Sequence, residues 1–196
     1  MKNLFIVCIV FISGNCFSQS FMENIVNRLH FGVKAGANYS NFTNAGFNTE
    51  GLTGFHAGGI MAFEISDKFS IQEEFLFSTQ GAKLKGGILD GQELKLSYIT
   101  VPILLKYRSA MGIYIEAGPQ VGILASEDFK KLGINDKFAE KIDAGIAGGI
   151  GYQFKNGLGI GARYYYGFTD VSKVTTAGIK PNFQNNMVQA SLFYIF

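Results

Sequence analysis

The chain has 196 residues, of which 16% are charged and 47% hydrophobic, with 25 glycines, 19 phenylalanines, 9 tyrosines, no tryptophan and a formal charge of +2. That size suits one domain. The apolar content excludes disorder, the glycines follow no three-residue collagen period, and the charge leaves no basic footprint for nucleic acid.

Mean hydropathy is positive, at +0.17. Yet the longest unbroken apolar run, 4–12, falls far short of the roughly 20 residues of a spanning helix. A membrane crossing by this chain must therefore be made by strands.

At the start, Met1-Lys2-Asn3 is a short basic segment, followed by the apolar run and then polar Ser13, Gly14 and Asn15. This order is that of a secretory signal. Cys16-Phe17-Ser18 places small residues at the −3 and −1 positions of a cleavage before Gln19, so 1–18 reads as a signal peptide. Cys16 raises lipid attachment as an alternative, but Asn15 fits poorly the small residue preferred before a lipidated cysteine. Cleavage removes both cysteines, Cys8 and Cys16, leaving no disulfide and no thiolate metal site. Residues 19–29 read as a short N-terminal periplasmic segment, and 30–196 as one barrel domain.

From His30 onward the pattern has period two. In 31–40, Phe31, Val33, Ala35, Ala37 and Tyr39 alternate with Gly32, Lys34, Gly36, Asn38 and Ser40. Segments 53–65, 69–82 and 94–107 follow the same pattern. The clearest case is 112–126, where Ile113, Ile115, Ala117, Pro119, Val121, Ile123 and Ala125 face away from Tyr114, Glu116, Gly118, Gln120, Gly122 and Leu124. Segments 142–154 and 158–169 repeat it, and the last strand sets Val188, Ala190, Leu192, Tyr194 and Phe196 on one side. These make eight strands.

Ser66-Asp67-Lys68, Ser109-Ala110-Met111 and Lys155-Asn156-Gly157 are tight turns, the last carrying the Asn-Gly hairpin signal. Long polar connections lie near 43–52, 84–93, 127–140 and 171–183. Short turns at one end and long loops at the other describe an all-β fold: an eight-stranded antiparallel up-and-down barrel. Ala57-Gly58-Gly59-Ile60 and Ala147-Gly148-Gly149-Ile150 look duplicated, but the two copies face opposite ways and count as shared composition.

Either face of such a barrel can carry the apolar residues. A soluble ligand-binding barrel hides them, whereas a transmembrane β-barrel turns them to lipid and keeps a polar, filled lumen. Here the mixed face is rich in glycine, as an interior only just wide enough for side chains requires. It would place Lys34, Lys106 and Arg163 inside with Glu64, Glu74, Glu116 and Asp143, and such charges can pair in a narrow lumen. On a soluble exterior the same face would be poor in charge, so lipid outside is favoured. Glu73 falls on the lipid-facing parity, either near the membrane edge or turned inward by a bulge. Lys95 sits at the loop end of its strand. Tyr39, Tyr107, Tyr152, Tyr164, Tyr166 and Tyr194 all face outward, as girdle residues do, although the usual tryptophans are missing.

The stretches Phe31-Gly32-Val33-Lys34-Ala35-Gly36, Ser66-Asp67-Lys68-Phe69-Ser70-Ile71-Gln72, Val101-Pro102-Ile103-Leu104-Leu105-Lys106-Tyr107 and Glu116-Ala117-Gly118-Pro119-Gln120 resemble the small outer-membrane β-barrel family of Bacteroidota, labelled porin-like or PorT-like. The resemblance covers nearly the whole mature chain, and its last two stretches are the more specific. It implies an outer-membrane address and an eight-stranded barrel, with no shared catalytic residues to carry over. Family members often have Pro where this chain has Glu73. The strand that ends in Phe196 resembles the C-terminal signal recognised by the outer-membrane assembly machinery.

Little chemistry is visible. His30 and His56 are the only histidines, and His56 reads as inward-facing near the loop end of its strand. A lipid-modifying barrel enzyme would want His and Ser together on the outer surface. No catalytic, cofactor-binding or metal-ligating residues are expected, and no cofactor. Gly86, Gly87 and Gly91 precede no helix and read as an extracellular turn rather than a phosphate loop. The mixed charges of 127–140 read as a solvated loop without calcium-ligand spacing.

Glu64, Glu74, Lys106, Glu116 and Arg163 form either a network that fills the lumen or the gate of a narrow ion path. The expected function is a structural or surface-interaction role exerted through extracellular loops. A narrow channel for ions or small solutes and a lipid-modifying enzyme are the alternatives. Expected partners are outer-membrane lipids including lipopolysaccharide, the assembly machinery and an unidentified extracellular ligand or protein, with no nucleic acid and a monomeric chain.

Overall fold

The computed structural model describes residues 26–43, 48–86, 91–128, 140–170 and 183–196. Among these the chain forms eight strands: β1 (Leu29–Thr43), β2 (Thr49–Glu64), β3 (Phe69–Leu84), β4 (Glu93–Arg108), β5 (Ile113–Asp128), β6 (Ile142–Gln153), β7 (Leu158–Gly167) and β8 (Gln184–Ile195). Each pairs antiparallel with the next, and β8 returns to β1 from Gly32↔Ile195 to Thr43↔Gln184, which closes the barrel. Closure leaves no row of unpaired backbone groups, the condition for crossing lipid with strands.

Alternation sets the two faces. On β5, Ile113, Ile115, Val121 and Ile123 are exposed while Tyr114, Glu116 and Gln120 are buried in the lumen. The phase expected from the sequence holds around the barrel. It separates the two similar tetrapeptides, for Ile60 is 3% exposed and Ile150 57%. Aromatic pairs stand on the outer face where strands end: Phe69–Tyr107, Tyr152–Phe154 and Tyr194–Phe196 at one rim, Tyr166–Phe168 toward the other.

The tight turns 65–68, 109–112 and 154–157 share one rim, called the turn end below. Gly112 and Gly157 there have φ of +95° and +90°, a region that side chains with a Cβ disfavour. At the opposite loop end, 44–47, 87–90, 129–139 and 171–182 lie outside the described residues, and with them most of the predicted long connections.

Several strands reach further toward the loops than the alternation suggests. Thr49 and Gly51 still pair with Leu84 and Ala82, because ladder hydrogen bonds need no apolar side chain once the strand has left the bilayer. Strands of 16 residues exceed the 9–11 that span a membrane at a tilt, so the barrel extends beyond the hydrocarbon. Glu73 pairs with Met61 and Ile103, and although the β3–β4 pairing skips the two residues after it, opposite Pro102, the register is the same on both sides of the gap. No bulge turns it inward, and it stays on the outer face as the fifth residue of β3.

Candidate functional site: the barrel lumen

Following the register around the barrel, inward residues fall into rows in which small side chains neighbour large ones. Tyr114, Gly151, Gly161, Ser191, Gly36, His56 and Ser78 make one row. Lys106, Glu116, Gly149, Arg163, Gln189 and Asn38 make another. A Cβ at Gly151 or Gly161 would overlap the Tyr114 hydroxyl. The glycines are thus the room into which the large lumen side chains fold.

Glu116 and Arg163 of the second row meet Lys34 and Glu74 from other rows in an ionic cluster. Arg163 Nη1 and Nη2 donate to Glu74 Oε2 and Oε1 at 2.7 and 2.8 Å. Its Nε and Nη2 donate to Glu116 Oε1 at 2.8 and 2.6 Å. Glu74 also accepts from Lys34 Nζ at 3.0 Å and Gln72 Nε2 at 2.6 Å. All of these side chains are buried. A buried ion is costly unless paired and hydrogen-bonded, and here each carboxylate holds at least two charge-assisted bonds. Lys34, Glu74, Glu116 and Arg163 come from β1, β3, β5 and β7, every second strand, so the cluster bridges the full width of the barrel.

Lys106 approaches from β4 on different terms. Its ammonium donates to Gln72 Oε1 and Gln153 Oε1, both at 3.3 Å. It also lies 4.0 Å and 4.6 Å from the ring centroids of Tyr114 and Phe193, cation–π distances.

Five of the seven charges expected inside therefore meet in one place. Glu64 does not join them. As the last residue of β2 it stands half-exposed at the turn-end mouth, 3.6 Å from His30 Nε2 and 3.8 Å from Arg108 Nη2. Asp143 is buried but lies near the loop end, where Thr169 Oγ1 donates to it at 3.0 Å and Asn185 Nδ2 at 3.4 Å. Asn185 also donates to Gln80 Oε1.

His56 faces inward as expected but occupies the middle of β2 rather than its loop end, since the strand begins at Thr49. Its Nδ1 is 2.6 Å from Asn38 Oδ1, and its Nε2 is 2.8 Å from Ser191 Oγ. The Asn38 amide nitrogen donates to the Phe55 and Thr79 carbonyl oxygens and to Ser78 Oγ. Carbonyls can only accept, so Oδ1 must face His56, whose Nδ1 then carries the proton. Nε2 is left to accept from the Ser191 hydroxyl. The order Ser191–His56–Asn38 has the polarity of a nucleophile, a base and an orienting group. Yet His56 is only 1% and Ser191 8% exposed, and neither borders the turn-end cavity.

Apolar clusters complete the filling. Phe42, Ala82, Leu94, Leu96, Tyr98 and Phe183 pack at the loop end, Leu104, Ala147, Tyr165 and Met187 in the middle, and Ile60, Ala62, Tyr114 and Phe193 toward the turns. A cavity of about 790 Å³ opens at the turn end, with His30, Glu64, Gln72, Lys106, Arg108 and Gln153 among its lining residues.

The uncharged members of the network, Asn38, Gln72, Ser78, Gln153, Gln189 and Ser191, were not singled out from the sequence. They share the inward parity of the charges, and that parity was the signal available.

A closed barrel with an apolar exterior and a filled, largely polar interior is an integral β-barrel membrane protein. The family model described as "Outer membrane protein beta-barrel domain" matches residues 17–173, and the chain belongs to that family. Among solved structures, Neisserial surface protein A is similar with a TM-score of 0.56 at 18% identity, covering 85% of this chain and 97% of that one. The outer membrane protein OprG from Pseudomonas aeruginosa gives 0.55 at 15% identity, covering 85% and 95%. At such identities the likeness is one of fold. No curated protein matches the chain.

Proposed function

We propose that this outer-membrane barrel has a structural or surface-interaction role, exerted through its loop-end connections, and that its lumen is a packed plug rather than a path. The observation that carries this reading is the cluster of Lys34, Glu74, Glu116 and Arg163, which bridges the barrel interior from alternate strands. With the interior filled and the outer face given to lipid, the loops are what the molecule offers to its surroundings.

In this reading the turns lie in the periplasm and the loops outside, and 1–18 is a cleaved signal peptide. The porin-like branch of Bacteroidota is the finer family assignment it favours. The outer face of β8, with Val188, Leu192 and Tyr194 exposed, fits recognition by the assembly machinery. Lipopolysaccharide or a surface protein is the partner proposed for the loops. Enclosure of Ser191 and His56 within the barrel favours a role without catalysis.

The test is reconstitution in planar bilayers together with photo-crosslinking on intact cells. The reading predicts no steady conductance steps, and crosslinks from positions within 129–139 or 171–182 to lipopolysaccharide or to a surface protein. Regular steps without such crosslinks would replace it with the narrow-channel reading.

A further inference from the structure

We propose that the cavity at the turn end is a binding site for a small oxyanion, a carboxylate or phosphate group, held at its floor by Lys106 and Gln153. At about 790 Å³ it lies within the range of roughly 300–1,000 Å³ common to small-molecule sites. Its floor carries a cation whose charge has no direct counterpart. Lys106 is 2% exposed, and its hydrogen-bond acceptors are two neutral amide oxygens. Lys34 and Arg163, by contrast, each bond to a carboxylate. Among the described residues no carboxylate lies within ion-pair distance of the Lys106 ammonium.

The buried cluster therefore holds three cations against two carboxylates. Glu64, the carboxylate that strand parity would add, stands at the mouth beside Arg108 and His30. A buried charge whose direct contacts are only dipoles and ring faces is the arrangement that an incoming anion relieves.

Gln153 supplies the second group. Its Oε1 is committed to Lys106, which fixes the amide's orientation and leaves Nε2 with no hydrogen-bond partner among the described residues. Gln153 borders the same cavity. An anion entering from the turn end thus meets an amide donor and an ammonium charge together, with aromatic rings behind them. The site depends on the described lumen and not on the loop reading above, so each can fail alone.

The experiment is a titration of the isotope-labelled, folded chain in nonionic micelles, followed by NMR. Sodium phosphate and sodium acetate are added separately at constant ionic strength, with sodium chloride as the reference. Saturable shifts are expected at the Gln153 side-chain amide and the Lys106 backbone amide, weakened about tenfold or more in Lys106→Met. Comparison of the phosphate and acetate arms tells which oxyanion the site prefers. Shifts that grow linearly and spread over the surface, or saturation unchanged in Lys106→Met, would overturn the proposal. Should Lys106→Met fail to assemble, Gln153→Leu, outside the carboxylate cluster, makes the same comparison, and an absence of saturation in the unaltered chain is decisive by itself.

Discussion

Arg163 donates two hydrogen bonds to Glu74 and two to Glu116, so its neighbours are set to its charge. Removing one partner strands an ion in the interior. We expect Glu74→Leu to destabilise the barrel by about 3–5 kcal/mol in urea unfolding from lipid vesicles. Because Arg163→Met alone also strands Glu116, the double variant should lose less than the sum of the two single variants, and strictly additive single effects would argue against the pairing. Glu73, one residue away, makes the opposite case. It faces outward between exposed Ile71 and Phe75, where an acid near the bilayer edge costs on the order of 1 kcal/mol or less. Glu73→Leu should therefore raise stability by up to about 1 kcal/mol, and a drop in the unfolding midpoint would contradict its placement. Side chains two positions apart on a strand share a face and adjacent ones do not, which is why Glu73 and Glu74 have such different surroundings.

At the scale of elements, the strands and their faces were legible because alternation is a property of each segment alone. β5 shows this most plainly, since every exposed isoleucine and valine on it falls on the predicted side. The turns were legible too, for Asn156-Gly157 closes β6 to β7 with the positive φ its glycine permits. Gly157→Ala should cost more than the about 1 kcal/mol of that backbone conformation, since its Cβ would also overlap the Ile195 carbonyl oxygen, and the loss is measurable as a shift in urea midpoint. An unchanged midpoint would mean that the turn tolerates a Cβ. What alternation does not encode is stagger. It puts Glu74 and Arg163 inside, but only the register brings together side chains 89 residues apart. It likewise puts Glu64 inside, whereas the strand ends there and leaves it at the mouth. For a related reason alternation sets His56 too near the loop end of β2, because the polar start of the strand reads like loop.

For the whole molecule, the low charge and high apolar content resolve into an inside and an outside. Apolar residues form the exterior, charges and amides tie the interior together, and glycines give the large lumen side chains room. This inversion of a soluble barrel is the central claim, and collision accessibility of spin labels tests it most directly. Residues 19–196 contain no cysteine, so single cysteines can be placed at Ile115, Ala117, Val121 and Ile123 on the outer face of β5, labelled, and reconstituted in bilayers. Molecular oxygen, which concentrates in lipid, should collide with these labels more often than a water-soluble nickel chelate, most strongly at Ala117 and Val121. Preference for the nickel chelate along the same face would mean that it meets water, and the barrel would have to be read as a soluble one.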